Sequence, residues 1–71
     1  MDVLIFRTNA TNFEDYRAIK NSLFSLPSIY DCTIDLGDCD KVLRVVTENM
    51  PPEYIKLELE KLGYLCEELE D

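Results

Sequence analysis

The chain has 71 residues with 7 lysines and arginines against 15 aspartates and glutamates, a net charge of −8, and 46% apolar residues. That length allows one small domain, which hides only about 60% of its unfolded surface, and the composition is globular rather than disordered. The charge is the wrong sign for a phosphate backbone or an anionic bilayer, which excludes nucleic acid and acidic membrane as partners and favours a protein partner of basic character.

The N-terminal Met1-Asp2-Val3 runs directly into an apolar stretch. With no basic region and no cleavage site, it does not read as a signal peptide, and no apolar run approaches the roughly 18 residues of a membrane helix. Val3–Thr8 predicts a first strand. Leu4, Phe6 and Thr8 share one side of it and Val3, Ile5 and Arg7 the other. Because Arg7 prefers water, the first set is placed inward.

Asn9–Asn12 is polar and turn-forming, and Thr11 or Asn12 can cap the helix that follows. Glu14 stands three residues after Thr11, the spacing of a capping box. From Phe13 the apolar residues Tyr16, Ile19, Leu23 and Leu26 form one helical stripe, with Arg17, Lys20 and Asn21 on the wet side and Pro27 as the stop. Tyr30, Cys32, Ile34 and Leu36 then alternate with Asp31, Thr33 and Asp35, which predicts a strand with one dry face. Gly37-Asp38-Cys39-Asp40 is a turn signal, and Lys41–Thr47 resumes as the second arm of a hairpin with Leu43 and Val45 on one face.

A second helix starts within Asn49–Glu53, where prolines are tolerated because first-turn amides have no intrahelical partner. Ile55, Leu59 and Leu62 give its inward stripe, and Gly63 its stop. Tyr64-Leu65-Cys66 enters a last short strand, followed by the acidic end Glu67–Asp71, which is expected to fray. The order strand, helix, strand, strand, helix, strand predicts an α+β ferredoxin-like βαββαβ sandwich over residues 1–71: a four-stranded antiparallel sheet in the order 4-1-3-2 with two helices on one face.

Several of these pieces resemble the heavy-metal-associated (HMA) domain of copper chaperones and of the N-terminal modules of metal-pumping ATPases. They are Leu23-x-x-Leu26-x-Ser28-Ile29, Val42-Leu43-Arg44-Val45, and Pro52-Glu53-x-Ile55-x-x-x-Leu59-x-x-Leu62-Gly63-Tyr64. The resemblance spans nearly the whole chain and implies the same fold. That family is defined by Met-x-Cys-x-x-Cys at the turn into helix one. Counting back from Leu23 and Leu26 places the two cysteine positions at Asn12 and Asp15 and the methionine at Ala10. Two close thiolates match a soft, low-coordinate Cu(I) ion, and a carboxylate with an amide does not. The resemblance therefore implies the shell without the metal activity. The start Phe6-Arg7-Thr8-Asn9 also resembles short acidic bacterial relatives that lack both cysteines.

The 3 cysteines, Cys32, Cys39 and Cys66, are an odd number, and without a signal peptide they point to a reducing, cytoplasmic setting rather than a disulfide framework. There is no histidine, so the usual general base is missing, and no nucleophile–base pair or phosphate loop stands out. The chain is expected not to be an enzyme and to carry no cofactor. Asn12 and Asp15 read as helix capping before they read as ligands, since a dedicated calcium or magnesium site takes about six oxygens. Asp38, Cys39 and Asp40 read as a turn whose aspartates hold their own backbone, with a displaced ligand set including Cys66 as the alternative. Cys32 and Cys66 read as small buried hydrophobes, and Asp31 and Asp35 as a solvated face near Arg44. Tyr64, beside the metal loop in that family, reads here as the edge of the core. Val3, Ile5, Val42 and Val46 fall on the uncovered side of the sheet, where a partner or a second copy could dock. Two functions remain: a metal-free protein-interaction module, or a metal carrier using Cys39, Cys66 and neighbouring carboxylates.

Overall fold

The computed structural model describes residues 1–69. Glu70 and Asp71, part of the expected acidic frayed end, lie outside them. The elements are β1 (Asp2–Thr8), α1 (Phe13–Phe24), β2 (Ile29–Ile34), β3 (Leu43–Thr47), α2 (Pro52–Lys61) and β4 (Cys66–Glu68). The strands form one antiparallel sheet in the order β2-β3-β1-β4, the order anticipated from the sequence read from its other edge.

Alternation along β1 decides which face is dry: Phe6 and Thr8 are buried and Leu4 packs against the core, while Val3 and Arg7 are exposed. Leu43, Val45 and Thr47 of β3 continue that dry face. Ile19 and Leu23 of α1, and Ile55 and Leu59 of α2, are fully buried with it. The two helices also touch each other, where the Ser22 hydroxyl donates to Glu58 Oε2 at 2.8 Å.

Five local expectations are corrected. Tyr30 is exposed rather than dry, because a bulge between Ile29 and Asp31 adds one residue to β2. Ile29 takes the inward position opposite Thr47 instead, and the Tyr30 hydroxyl donates to Glu48 Oε2 at 2.8 Å. Helix α1 ends at Phe24, although the Leu26 N–H still turns back to the Leu23 carbonyl at 3.0 Å and Leu26 still packs on the core. β3 begins at Leu43, since residues 35–42 form a loop around the hairpin tip. Leu62 is 41% exposed because α2 ends one residue before it. β4 begins only at Cys66.

The end of α2 is a Schellman motif. The Gly63 N–H reaches the Glu60 carbonyl at 3.0 Å and the Tyr64 N–H the Leu59 carbonyl at 2.9 Å. The motif needs a left-handed residue after the cap, and Gly63 supplies it at φ +90°. This turn sets the position of Tyr64, which belongs to the site described next.

Candidate metal-loop site

Three connections meet at one end of the sandwich: the β1–α1 loop, the β2–β3 hairpin tip and the α2–β4 turn. Thr8 joins the first two. Its N–H donates to the Asp40 carbonyl at 3.1 Å and its hydroxyl to the Lys41 carbonyl at 2.8 Å, and the same hydroxyl accepts the Ala10 N–H at 3.3 Å. Asn9 joins the first and third, its Oδ1 accepting the Leu65 N–H at 2.9 Å. Neither role is visible in the sequence, where Thr8 is a strand end and Asn9 one more polar loop residue.

Asn12 is the N-cap of α1, and its Oδ1 accepts the Asp15 N–H at 2.9 Å. The Thr11–Glu14 box does not form. Asp15 takes the reciprocal role, its Oδ2 accepting both the N–H and the hydroxyl of Thr11 at 2.9 Å each. The other oxygen, Oδ1, accepts the Tyr64 hydroxyl at 2.6 Å. The carboxylate is thus held from two sides of the loop by three donors. The Tyr64 hydroxyl does most to hold the Asp15 carboxyl below its ordinary range, followed by the Thr11 N–H and hydroxyl. The same bond, with burial, pushes the Tyr64 phenol up. Ala10 is fully buried, so this position faces the core rather than the surface of the loop.

At the hairpin tip, one ligand atom each of Asp38, Cys39 and Asp40 lies within 4.8 Å of the others, the one such cluster among the described residues. Their backbone has claims on them too: Asp38 Oδ1 accepts the Asp40 N–H at 2.8 Å, as Asp35 Oδ1 accepts that of Gly37 at 3.1 Å. Cys39 is exposed. Cys66 is not in this cluster. It is buried at its β1 partner Thr8, and burial pushes its thiol up to about 11. Cys32 is likewise buried on β2, with its thiol raised by that burial.

No protein-family model matches the chain, and no curated protein matches it in sequence. Solved structures do match it. The yeast copper transporter domain CCC2A, determined in apo and Cu(I)-loaded states, superposes with a TM-score of 0.86 at 25% identity over 97% of this chain and 96% of its own. A copper-binding domain of HMA7, a P-type ATPase, gives 0.87 at 19% identity over 99% and 96%. The N-terminal domain of ZntA in its Zn(II) form gives 0.81 at 15% identity over 93% and 89%.

The fold is that of the HMA domain. On this HMA-like shell, the donor set of the loop does not fit a soft cation. Between β1 and the first turn of α1 it offers an amide and a carboxylate where the resemblance implies two thiols, and every oxygen of that carboxylate is engaged. Asn12 and Asp15 act as a cap and a clasp. Asp38 and Cys39 sit apart from them on the hairpin tip, and Cys66 lies inside.

The clasp gives a direct expectation for acid. A carboxyl whose folded pKa is depressed stabilises the fold above its unfolded value, about 3.9 for aspartate. That contribution is lost as pH falls through the folded value. Tyr64→Phe removes the largest cause of the depression, so the Asp15 pKa is expected to rise toward its ordinary value, measured by a carboxyl carbon NMR titration. The thermal midpoint of the variant should lie below that of the parent at pH 7, and the gap should close in strong acid. An unmoved Asp15 titration would refute the clasp.

Proposed function

We propose that the protein is a non-enzymatic interaction module: a single HMA-like domain over residues 1–71 whose metal site has been replaced by a polar clasp. The observation that carries this reading is the Asp15 carboxylate, held by Tyr64 and Thr11 at the loop where the resemblance implies a thiolate pocket. Binding an ion there means breaking three hydrogen bonds to an ionised acceptor, bonds about twice as strong as neutral ones, for one hard ligand. The absence of histidine in the sequence and the engagement of Asp15 also weigh against acid–base catalysis. The partner is a protein rather than nucleic acid or membrane, as the net charge of −8 favours. A basic surface suits that charge, and free thiols suit the cytoplasm.

The test is metal competition. The purified reduced protein is mixed with Cu(I), and separately with Zn(II), in the presence of a chromogenic chelator. The expected result is that all metal stays with the chelator. A stoichiometric ion retained by the protein overturns the reading.

A second reading, a metal carrier using an unorthodox site, is favoured by one observation, the convergence of Asp38, Cys39 and Asp40. It requires metal uptake that is lost in Cys39→Ser. Burial and the raised pKa of Cys66 weigh against that residue as a further thiolate ligand.

A further inference from the structure

We propose that the free edge of β2 takes an extended segment of another protein as a fifth strand, a segment in which basic and apolar residues alternate. The proposal rests on the interaction-module reading and deepens it, naming the surface and the pattern it recognises. The order β2-β3-β1-β4 leaves β2 with a neighbour on one side only. In an antiparallel ladder every second residue turns its N–H and C=O toward the paired strand. The Asp35 N–H donates to the Val42 carbonyl at 2.9 Å, so in this register Asp31, Thr33 and Asp35 bond toward β3. Cys32 and Ile34 therefore turn their main-chain groups outward. The Cys32 N–H bears this out: it donates to the carboxylate of its own neighbour, Asp31 Oδ1, at 2.9 Å. That carboxylate takes the place a carbonyl of an added strand would fill.

The two sides of this edge differ in chemistry. The side chains of Asp31, Thr33 and Asp35 stand exposed on the open face, and neither aspartate has an ion pair among the described residues. Cys32 and Ile34 lie buried on the dry face, where α1 packs on β2. Ser22 of α1 faces α2 through Glu58. At about 3.6 residues per turn, Tyr16, Lys20 and Phe24 fall on the other flank, toward the outer edge of β2. Lys20 Nζ lies 5.6 Å from the centre of the Tyr16 ring and 5.8 Å from that of Phe24. Burial raises the Cys32 thiol, and Lys20 is near enough to oppose that rise. An added strand sets alternate side chains on these two sides. Beside Asp31 and Asp35 it favours lysine or arginine. Beside Tyr16 and Phe24 it favours an apolar side chain, since Lys20 repels a basic one. A slip of one residue exchanges the two sets and loses both. Main-chain bonds to Cys32 and Ile34 supply affinity and the alternating side chains supply selection, as in other strand additions. The net charge of −8 draws a basic segment in. On binding, its carbonyl replaces Asp31 Oδ1 at the Cys32 N–H and frees that carboxylate for a basic side chain.

The probe is a fluorescein-labelled peptide of about eight residues, valine alternating with lysine. Its control has the same composition with the valines and lysines in separate blocks. Fluorescence anisotropy in physiological salt is expected to show binding of the alternating peptide alone, and NMR hydrogen exchange a slowed Ile34 amide in the complex. Asp31→Lys should weaken binding roughly fivefold, a like charge replacing an opposite one. Glu60→Lys makes the same charge change at an exposed site on α2 and should alter binding by less than about twofold, because salt screens distant charges. No binding, equal binding of the block peptide, an unslowed Ile34 amide or equal losses in the two variants overturns the proposal. None of these results touches the metal competition, and metal uptake would overturn the module reading while leaving the peptide result as it stands.

Discussion

Phe6→Ala is expected to remove a large share of the fold's stability. Phe6 is fully buried in the middle of β1, the strand flanked by β3 and β4. It lies opposite Leu43 on one side and Glu68 on the other, and belongs to the same core as Ile55 and Leu59 of α2. Truncating a buried phenylalanine costs about 3–5 kcal/mol, through lost transfer energy and the cavity left behind. A domain of this size holds a total of roughly 4–11 kcal/mol, so the change removes a large share of it. At about 4–8 °C per kcal/mol for small domains, the thermal midpoint should drop by at least about 12 °C, read by circular dichroism. The exposed Val3→Ala on the same strand provides the contrast: it should move the midpoint little. A larger loss for Val3→Ala than for Phe6→Ala would mean that β1 is inverted.

The second large effect is a gain. Asn12→Cys combined with Asp15→Cys is expected to turn a protein that leaves Cu(I) with the chelator into one that takes a single ion. The two positions occupy the cap and the third residue of α1, one turn apart, where the helix N-terminus favours thiolates. Without metal the variant should melt below the parent. Replacing the Asn12 cap costs about 1 kcal/mol, and the Asp15 bonds to Thr11 and Tyr64 are lost as well. With Cu(I) the order should reverse, because an ion at a thousand times its dissociation constant adds about 4.1 kcal/mol. The sign change on loading is the readout. A double variant that gains no ion, or gains one without stabilisation, would mean that the loop is not the degenerate counterpart of a thiolate pocket. Ala10 needs no replacement, since it is buried within the core.

The fold was largely legible because its cues are local and periodic. Leu4, Phe6 and Thr8 alternate against Arg7, and Ile19 and Leu23 repeat at helical spacing. Gly63 stands where a helix must reverse, and the structure places it at φ +90°. The misreadings occur where one residue changes the phase or an element stops early. The bulge in β2 exchanged Tyr30 for Ile29, since a single insertion reverses the facing of everything before it. Leu62 continued the stripe of α2 on paper, but α2 had already ended.

The candidate site divides in the same way. Asn12 and Asp15 are three residues apart, within reach of a local capping rule, and they do cap. The Tyr64–Asp15 bond joins residues 49 apart, and the Asn9–Leu65 bond residues 56 apart. Nothing in the identity of a tyrosine or an asparagine announces a partner at that distance.

The sequence by itself determined the order of the elements and the dry faces of β1 and β3, which follow from residue type and spacing. That the first loop lacks sulfur ligands is what the resemblance to the HMA domain implies. Only the tertiary structure decided what stands in place of those ligands. The Schellman turn after α2 carries Tyr64 across to the start of α1, and the approach of two chain segments so far apart is set by the packing of helices on a sheet, not by any neighbouring residue.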